Sequence, residues 1–591
     1  MISLEITKPC SKKMSILKKL QPYDVIFVDY FDTLVFRNIH SHQIYSQWAK
    51  VLLGKLDSVS KHIDEEQLVA LRWKALQNLR EKNDEPSYRD LIFEIFSLGN
   101  LEFFVDFNIF FELSYTADEA VELGCQYPNK EVVEILYSLK RQGKKLYLVS
   151  DFYMPRKAYE SFLSAFSINN LFDDIFISSE HNASKRTGSL YKYALEKTNS
   201  FSQKVVMLGD SQKDDFKSAL KQNIAAIRYV PFKHKLYTNL SKYLNWDYSK
   251  RVVALKSSWL YKNSIFEEYA VVLYAFIQRL YSEAKKSNAE KLAFLSRGGF
   301  FLQTLFDEYQ KDVISSKEQI KSAYCLNSRK VCFAAKNDEN AKSLLLKYLQ
   351  QFKCGDSIFL VDEGWYNHSQ QILASVSGWN TFGFYIGTRQ KETLNIPNQC
   401  VRKGLLFDMG TKKPNTKYYG ILCTNCSMYE QILTAPHGSV DTYYEEFGAV
   451  KALLKTNEKE KYLYDKYIRD MQERMLLHFK GMCAWLGNNE ISLKQCAKIV
   501  LKSVVFNSKK RCEWLNDLDN NRFDNYTTGK SKDKTIKDVR INVFELLIHP
   551  DRYLGMFCKI QRKLVNHPLL AAGYYPLAFI FYLYVRIMSR V

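Results

Sequence analysis

The sequence predicts an α/β protein: two parallel-sheet units in series, the first interrupted by a helical block, then a mainly helical region. Three observations carry this. Short apolar runs such as 25–28 (VIFV), 145–149 and 205–208 alternate with helix-patterned segments, the rhythm of βαβ units on a parallel sheet. Residues 40–120 lack such runs and instead repeat apolar positions at helical spacing, as in EEQLVALRWKALQNLREK. The length, 591 residues, exceeds what one hydrophobic core accommodates.

Taken in order, VIFV reads as a parallel strand buried on both faces. The helical block at about 40–120 then reads as a cap inserted after it. Helices at 130–142, 155–166 and 188–197 lead into strands at 145–149, 175–178 and 205–208, and a helix near 213–222 precedes a strand at 225–229. A doubly wound sheet of this kind binds ligands outside its strand carboxyl ends. A long helix at about 255–286 opens a second unit with strands at 291–295, 357–361 and 381–386. Beyond about 420 the pattern is mostly helical. The expected division is an extension at 1–21, a first α/β domain at 22–250, a second at 251–420 and a helical region at 421–591. There is no internal repeat.

Composition narrows the function classes. Hydrophobic content of 46% with 25% charge is that of a folded globular chain. The net charge of +20 suits phosphorylated ligands and membrane surfaces. Nucleic acid is not expected, because the lysines are dispersed and no zinc-finger spacing or aromatic RNA-binding signature accompanies them. The 12 cysteines show no framework spacing and the first residues carry no signal-type apolar stretch, which predicts reduced thiols in the cytoplasm. Cys423 and Cys426 form one CxxC, read as two buried thiols because a zinc site needs a second pair of ligands.

Four segments, each following a predicted strand, carry chemistry: 29–34 (DYFDTL), Ser150-Asp151, Lys185 in SKRTGSLY, and 209–215 (GDSQKDD). A carboxylate at a strand end can attack phosphorus and split one displacement into two easier ones. Asp29 and Asp210, with Asp214 or Asp215, can hold Mg²⁺, which takes oxygen ligands. The Ser150 hydroxyl and Lys185 ammonium can bind the oxygens on which charge accumulates. In order and position these segments resemble the four motifs of the haloacid dehalogenase superfamily. That resemblance implies a Rossmann-like hydrolase domain with a helical cap, Asp29 as nucleophile, and a phosphorylated sugar as substrate. It also implies an acid two residues after the nucleophile. Here that place holds Phe31 and the carboxylate falls one later, at Asp32; either Asp32 or a group of the substrate is expected to stand in for the missing acid.

Downstream, LAFL runs into Ser296-Arg297-Gly298-Gly299 and a helix, and IFLV runs into Asp362-Glu363-Gly364-Trp365-Tyr366-Asn367-His368-Ser369 and another helix. Strand, polar loop and helix present backbone N–H groups to an anion. The pair resembles the phosphoribosyltransferase fold. The resemblance implies that Asp362 and Glu363 hold ribose hydroxyls, that residues 364–369 including Ser369 cradle the 5-phosphate, and that Arg297, Gly298, Gly299 and Arg329 meet pyrophosphate. Glu363 stands where that family places Asp, and bulky side chains replace its Thr and Gly. The combination of both halves resembles bacterial proteins of surface-polysaccharide loci. Those imply a bifunctional enzyme that transfers ribose 5-phosphate from phosphoribosyl pyrophosphate to a glycan, lipid-linked in one version, and then removes the phosphate.

Residues 569–585 carry no charge, yet Pro576 interrupts them and they fall short of spanning length. They predict a buried terminal helix, with peripheral contact at the inner face of the cell membrane as the alternative. Two rival functions stand beside the bifunctional one: a Mg²⁺-dependent sugar-phosphate phosphatase whose second half only binds a glycan or partner, and a non-catalytic phosphate-binding scaffold. His437, in TAPHGS, reads as an ordinary loop residue.

Overall fold

A computed structural model describes residues 9–231, 234, 247–366, 368–389, 400–410, 417–424, 426–455, 458–520, 549–564 and 568–591. The chain divides into two compact units, Met1–Leu255 with Lys480–Gly487, and Lys256–Phe479 with Asn488–Val591.

The first unit is built on a parallel sheet of β1 (Val25–Val28), β4 (Lys145–Ser150), β5 (Asp174–Ile177), β6 (Val205–Gly209) and β7 (Ala225–Arg228), in the order β5-β4-β1-β6-β7. β1 lies at the centre, paired with β4 on one side and β6 on the other. Its four residues are all buried, which is why VIFV reads as an unbroken apolar run. Phe27, Val149, Met207 and Tyr191 belong to a core cluster on this sheet.

Between β1 and β4 the chain leaves through β2 (Val35–Arg37), traverses the helices Ser41–Leu53, Asp57–Ser60, Glu65–Arg80, Tyr88–Leu98 and Phe107–Cys125, and returns through β3 (Gln126–Pro128). β2 and β3 pair antiparallel, so the cap stands on a two-stranded stalk. Three-residue strands leave no periodic trace, and the stalk is invisible in the pattern. The helix starts are legible: Asp64 and Gln67 form a capping box, Ser87 caps on Asp90 N–H, and Asp106 caps on the N–H groups of Asn108 and Ile109. Inside the cap Arg72 and Asp118 form a fully buried ion pair (3.0 Å), with Tyr88 and Tyr153 donating to the same carboxylate.

The second unit holds another five-stranded sheet, in the order β12-β11-β10-β8-β9. Its strands are β8 (Lys291–Leu295), β9 (Lys321–Cys325), β10 (Ser357–Trp365), β11 (Asn380–Thr388) and β12 (Cys400–Phe407), and every pairing is parallel. The three inner strands are those the apolar runs predict. β9 and β12 are the two edges. Partly exposed sequences such as KSAYC and CVRKGLLF are broken by polar residues rather than run apolar, so they escape a reading tuned to buried strands. Also unforeseen is a hairpin, β13 (Val440–Glu446) with β14 (Ala449–Leu454), inside the otherwise helical region. Val440 and Tyr443 of this hairpin join the core cluster of Leu295, Cys325, Leu349 and Leu360.

Among the described residues no helix is long and apolar enough to cross a membrane. Helix Pro568–Met588 buries Tyr574, Ala578, Phe581 and Val585, but leaves Leu577, Ile580 and Ile587 exposed, so only one face fits the expected buried terminal helix.

Candidate active site

In the first sheet the chain winds outward from β1 through β4 to β5, then crosses to β6. The order therefore reverses between β1 and β6, and ligands of doubly wound sheets bind at such a point, outside the strand carboxyl ends. Asp29 directly follows β1 and Asp210 directly follows β6. Asp29 N–H donates to Leu208 O (2.9 Å), tying the first loop to the second strand.

Three carboxylates converge there. Oxygen atoms of Asp29, Asp210 and Asp215 lie within 4.8 Å of one another. The Lys185 ammonium donates to Asp29 Oδ1 (2.5 Å) and to Asp215 Oδ1 (2.7 Å), all three side chains being buried. Burial pushes the Asp29 carboxyl well above its ordinary range; Lys185 pulls it back, while Asp215 and Asp210 push it further. Burial works against the charge of Lys185, yet Asp215 and Asp29 more than offset it and hold the ammonium protonated. A cage of hard oxygen donors beside one cation fits Mg²⁺. Asp215 is oriented by Ser211 N–H (2.9 Å), and a Cβ at Gly209 would collide with its carboxylate. Asp214 faces elsewhere: its carboxylate accepts from the Ser211 hydroxyl (2.9 Å), and it borders the cavity described below.

The other predicted residues fall around this cluster. Ser150 ends β4 and is buried, its hydroxyl accepting from Tyr159 (2.8 Å). The Lys185 loop is clamped by Asp84 of the cap region, which accepts from Ser184, Thr187 and Ser189. Asp32 turns the other way. It takes a left-handed backbone (φ 57°), is half exposed, and its carboxylate lies 3.4 Å from His234 Nε2. Asp151, singled out by no motif role, borders the cavity instead; its carboxylate accepts from Lys185 N–H (2.8 Å), and burial lifts it to about 6 against the pull of Lys185.

A cavity of about 400 Å³ opens between the sheet end and the cap, bordered by Phe31, Arg37, Tyr45, Trp73, Glu122 and Asp151. Arg37 stacks on the Phe31 ring (3.7 Å) and pairs in bidentate fashion with buried Glu122 (2.6 and 2.9 Å). The sequence signals none of this, because the stalk and the last cap helix bring these residues together over some 85 positions.

In the second unit the order reverses between β8 and β10, again a switch point. Residues 296–299 follow β8, while Asp362 and Glu363 lie within the extended end of β10 rather than in a loop after it. The two segments adjoin: a Cβ at Gly298 would collide with the Glu363 carboxylate. Asp362 Oδ1 and Glu363 Oε2 are buried and have no hydrogen-bond partner among the described residues. Burial, then Glu363, push the Asp362 carboxyl well up, with Arg329 opposing. Arg297 pairs with Glu460 (3.2 Å), and Gly299 starts the helix Gly299–Val313. Ser369 lies in the helix His368–Ser377, and burial pushes the neighbouring Cys332 thiol up to about 11 against the lowering effect of Asn327 and Ser369. Asn367 lies outside the described residues. His437 accepts from or donates to the Tyr324 hydroxyl (2.8 Å), and burial lowers its imidazole. Cys423 and Cys426 are unbridged thiols, the second buried.

Comparison with known proteins agrees with the first sheet. Residues 75–229 match the haloacid dehalogenase-like hydrolase family, a span that includes Ser150, Lys185 and Asp210 and begins after Asp29. The N-terminal region thus carries a haloacid dehalogenase-like hydrolase domain. No curated protein matches the chain. Solved structures similar to it include a protein described as a predicted phosphoglycolate phosphatase from Haemophilus somnus. It is 18% identical, with 35% of this chain and 85% of that one covered and a TM-score of 0.25. Others are a 2-haloacid dehalogenase from Pseudomonas syringae (16%, 35% and 86% covered, TM-score 0.29) and a hydrolase of the same superfamily from Bacillus subtilis bound to magnesium (16%, 35% and 90% covered, TM-score 0.25).

Proposed function

We propose that the first unit is a phosphomonoesterase acting on a sugar phosphate through Asp29. The Asp29 carboxylate attacks phosphorus, an aspartyl-phosphate forms and the sugar alcohol leaves; water then attacks the same phosphorus, releasing inorganic phosphate and restoring Asp29. The observation that carries this reading is the Lys185 ammonium shared between Asp29 and Asp215, with Asp210 completing the cluster. Mg²⁺ held by Asp29, Asp210 and Asp215 would neutralise charge on the transferred group. Lys185 and Ser150 bind its equatorial oxygens. With Asp32 turned to His234, Asp151 is the better placed acid: it protonates the leaving oxygen and later takes a proton from water. The aromatic faces of Tyr45 and Trp73 suit the apolar face of a sugar ring.

For the second unit we propose transfer of ribose 5-phosphate from phosphoribosyl pyrophosphate to a hydroxyl of a glycan, lipid-linked or free, with loss of pyrophosphate. The first unit then removes the 5-phosphate. The supporting observation is the pair of orphaned carboxylate oxygens on Asp362 and Glu363, opposite residues 296–299 at a switch point. Buried acceptors without donors suit ribose hydroxyls. A binding-only second unit is favoured by one feature, the engagement of Arg297 by Glu460.

Incubating the full chain with phosphoribosyl pyrophosphate, Mg²⁺ and a glycan acceptor separates the readings. Pyrophosphate release that survives Asp29→Asn and is lost in Asp362→Asn supports both activities. Phosphate release from sugar phosphates with no pyrophosphate chemistry leaves the phosphatase alone. Neither activity, with Asp29→Asn changing nothing, leaves a scaffold.

A further inference from the structure

The helix Pro568–Met588 is apolar on both faces, without a charge from 568 to 585. A helix at a protein–water boundary ordinarily turns a polar face outward. Here the inner face, Tyr574, Ala578, Phe581 and Val585, packs on neighbouring helices, with Phe581 stacked on Phe557 at 3.8 Å. The outer stripe repeats the same spacing with Pro576, Ile580, Leu583 and Ile587. Ile580 is 64%, Leu577 65% and Ile587 72% exposed. The charge along the chain that carries this stripe is of one sign: no Asp or Glu follows Asp551, whereas Arg552, Lys559, Arg562, Lys563, Arg586 and Arg590 do. Arg586 and Arg590 fall at the end of the stripe, and half-exposed Tyr575 near its start.

We propose that this outer face docks on an anionic lipid bilayer, the helix lying in the headgroup plane with its stripe in the acyl boundary and the arginines against lipid phosphates. An exposed apolar stripe flanked along the chain by cations, with no Asp or Glu at 552–591, matches such a surface in both hydrophobicity and sign. Among the described residues no helix is long and apolar enough to cross a membrane, and Pro576 interrupts this one, so the proposal is docking in the headgroup plane. Docking of this kind is independent of which reaction either unit catalyses.

The test is co-sedimentation of the full chain with phosphatidylcholine vesicles, with and without phosphatidylglycerol. The expected result is binding that requires phosphatidylglycerol and weakens as salt screens the surface. Ile580→Ser with Ile587→Ser should weaken binding about tenfold or more, because two exposed side chains lose their transfer into lipid. These exposed positions should leave the thermal unfolding profile unchanged. Arg586→Gln with Arg590→Gln, which keeps the apolar stripe, should lose the lipid-charge dependence. No binding to either vesicle, or binding indifferent to phosphatidylglycerol, overturns the proposal. So does a chain that dimerises through this helix in free solution and loses dimerisation, not lipid binding, in the serine variant.

Discussion

Replacing Lys185 with Met removes the only cation bonded to both Asp29 and Asp215 among the described residues, while keeping the length of the side chain. All three side chains are below 10% exposed, so solvent cannot take over the compensation. Breaking a buried pair by deleting one partner costs about 3–5 kcal/mol, because a charge is left uncompensated. The sign with pH follows from Asp29. Burial already raises its carboxyl, and losing Lys185 raises it further. A carboxyl raised in the folded state contributes stability that is fully present below its unfolded value near 3.9 and lost as pH rises through the folded one. Lowering the pH from 7 toward 4 should therefore return stability to the variant as Asp29 takes up a proton. Native-state hydrogen exchange on β1 and β6 peptides is the suitable assay, since a chain of two units need not unfold in one step. Lys185→Met should open these strands at lower free energy at neutral pH and converge on the parent in acid. Mg²⁺ at 100 times its Kd should restore about 2.7 kcal/mol. A variant as stable as the parent at pH 7, or one whose deficit ignores pH, would refute the reasoning.

Three further predictions are simpler. With Asp151 as the acid, the rate should fall as pH rises through about 6, where that carboxyl loses its proton; Asp151→Asn should abolish the limb, and Asp32→Ala should keep it, both read from the pH dependence of kcat/KM. In the cap, Arg72→Met strands Asp118 at a fully buried position and should cost about 3–5 kcal/mol, measured as exchange protection of cap helix peptides. In the second unit, Gly298→Ala drives a methyl into the Glu363 carboxylate and should remove pyrophosphate release while phosphate release by the first unit persists.

Much of the first unit was readable in one dimension. β1 is buried throughout and β4 over most of its length, so VIFV and LYLV announce themselves as apolar runs, and the polar residues that end them had to be Asp29 and Ser150. The second unit was readable only where its strands are interior; β9 and β12 lie at the sheet edges and lose that signature. Spacing alone left Asp214 and Asp215 equivalent, since neighbours in a helical turn point in different directions. The fold turns Asp215 into the carboxylate cluster and Asp214 back to Ser211.

The sequence by itself determined the inner strands of both sheets, the helical block after β1 and the chemical types at the strand ends, because these depend on neighbours a few positions away. Only the tertiary structure decided what depends on distant partners. It set Lys185 between Asp29 and Asp215, 156 and 30 residues away, and turned Asp32 from the cavity that Asp151 borders. It also brought Gly298 against Glu363 and left Leu577, Ile580 and Ile587 of the last helix exposed among the described residues. A strand order that reverses beside β1 and again beside β8 is a property of chain crossing, and no local pattern encodes it.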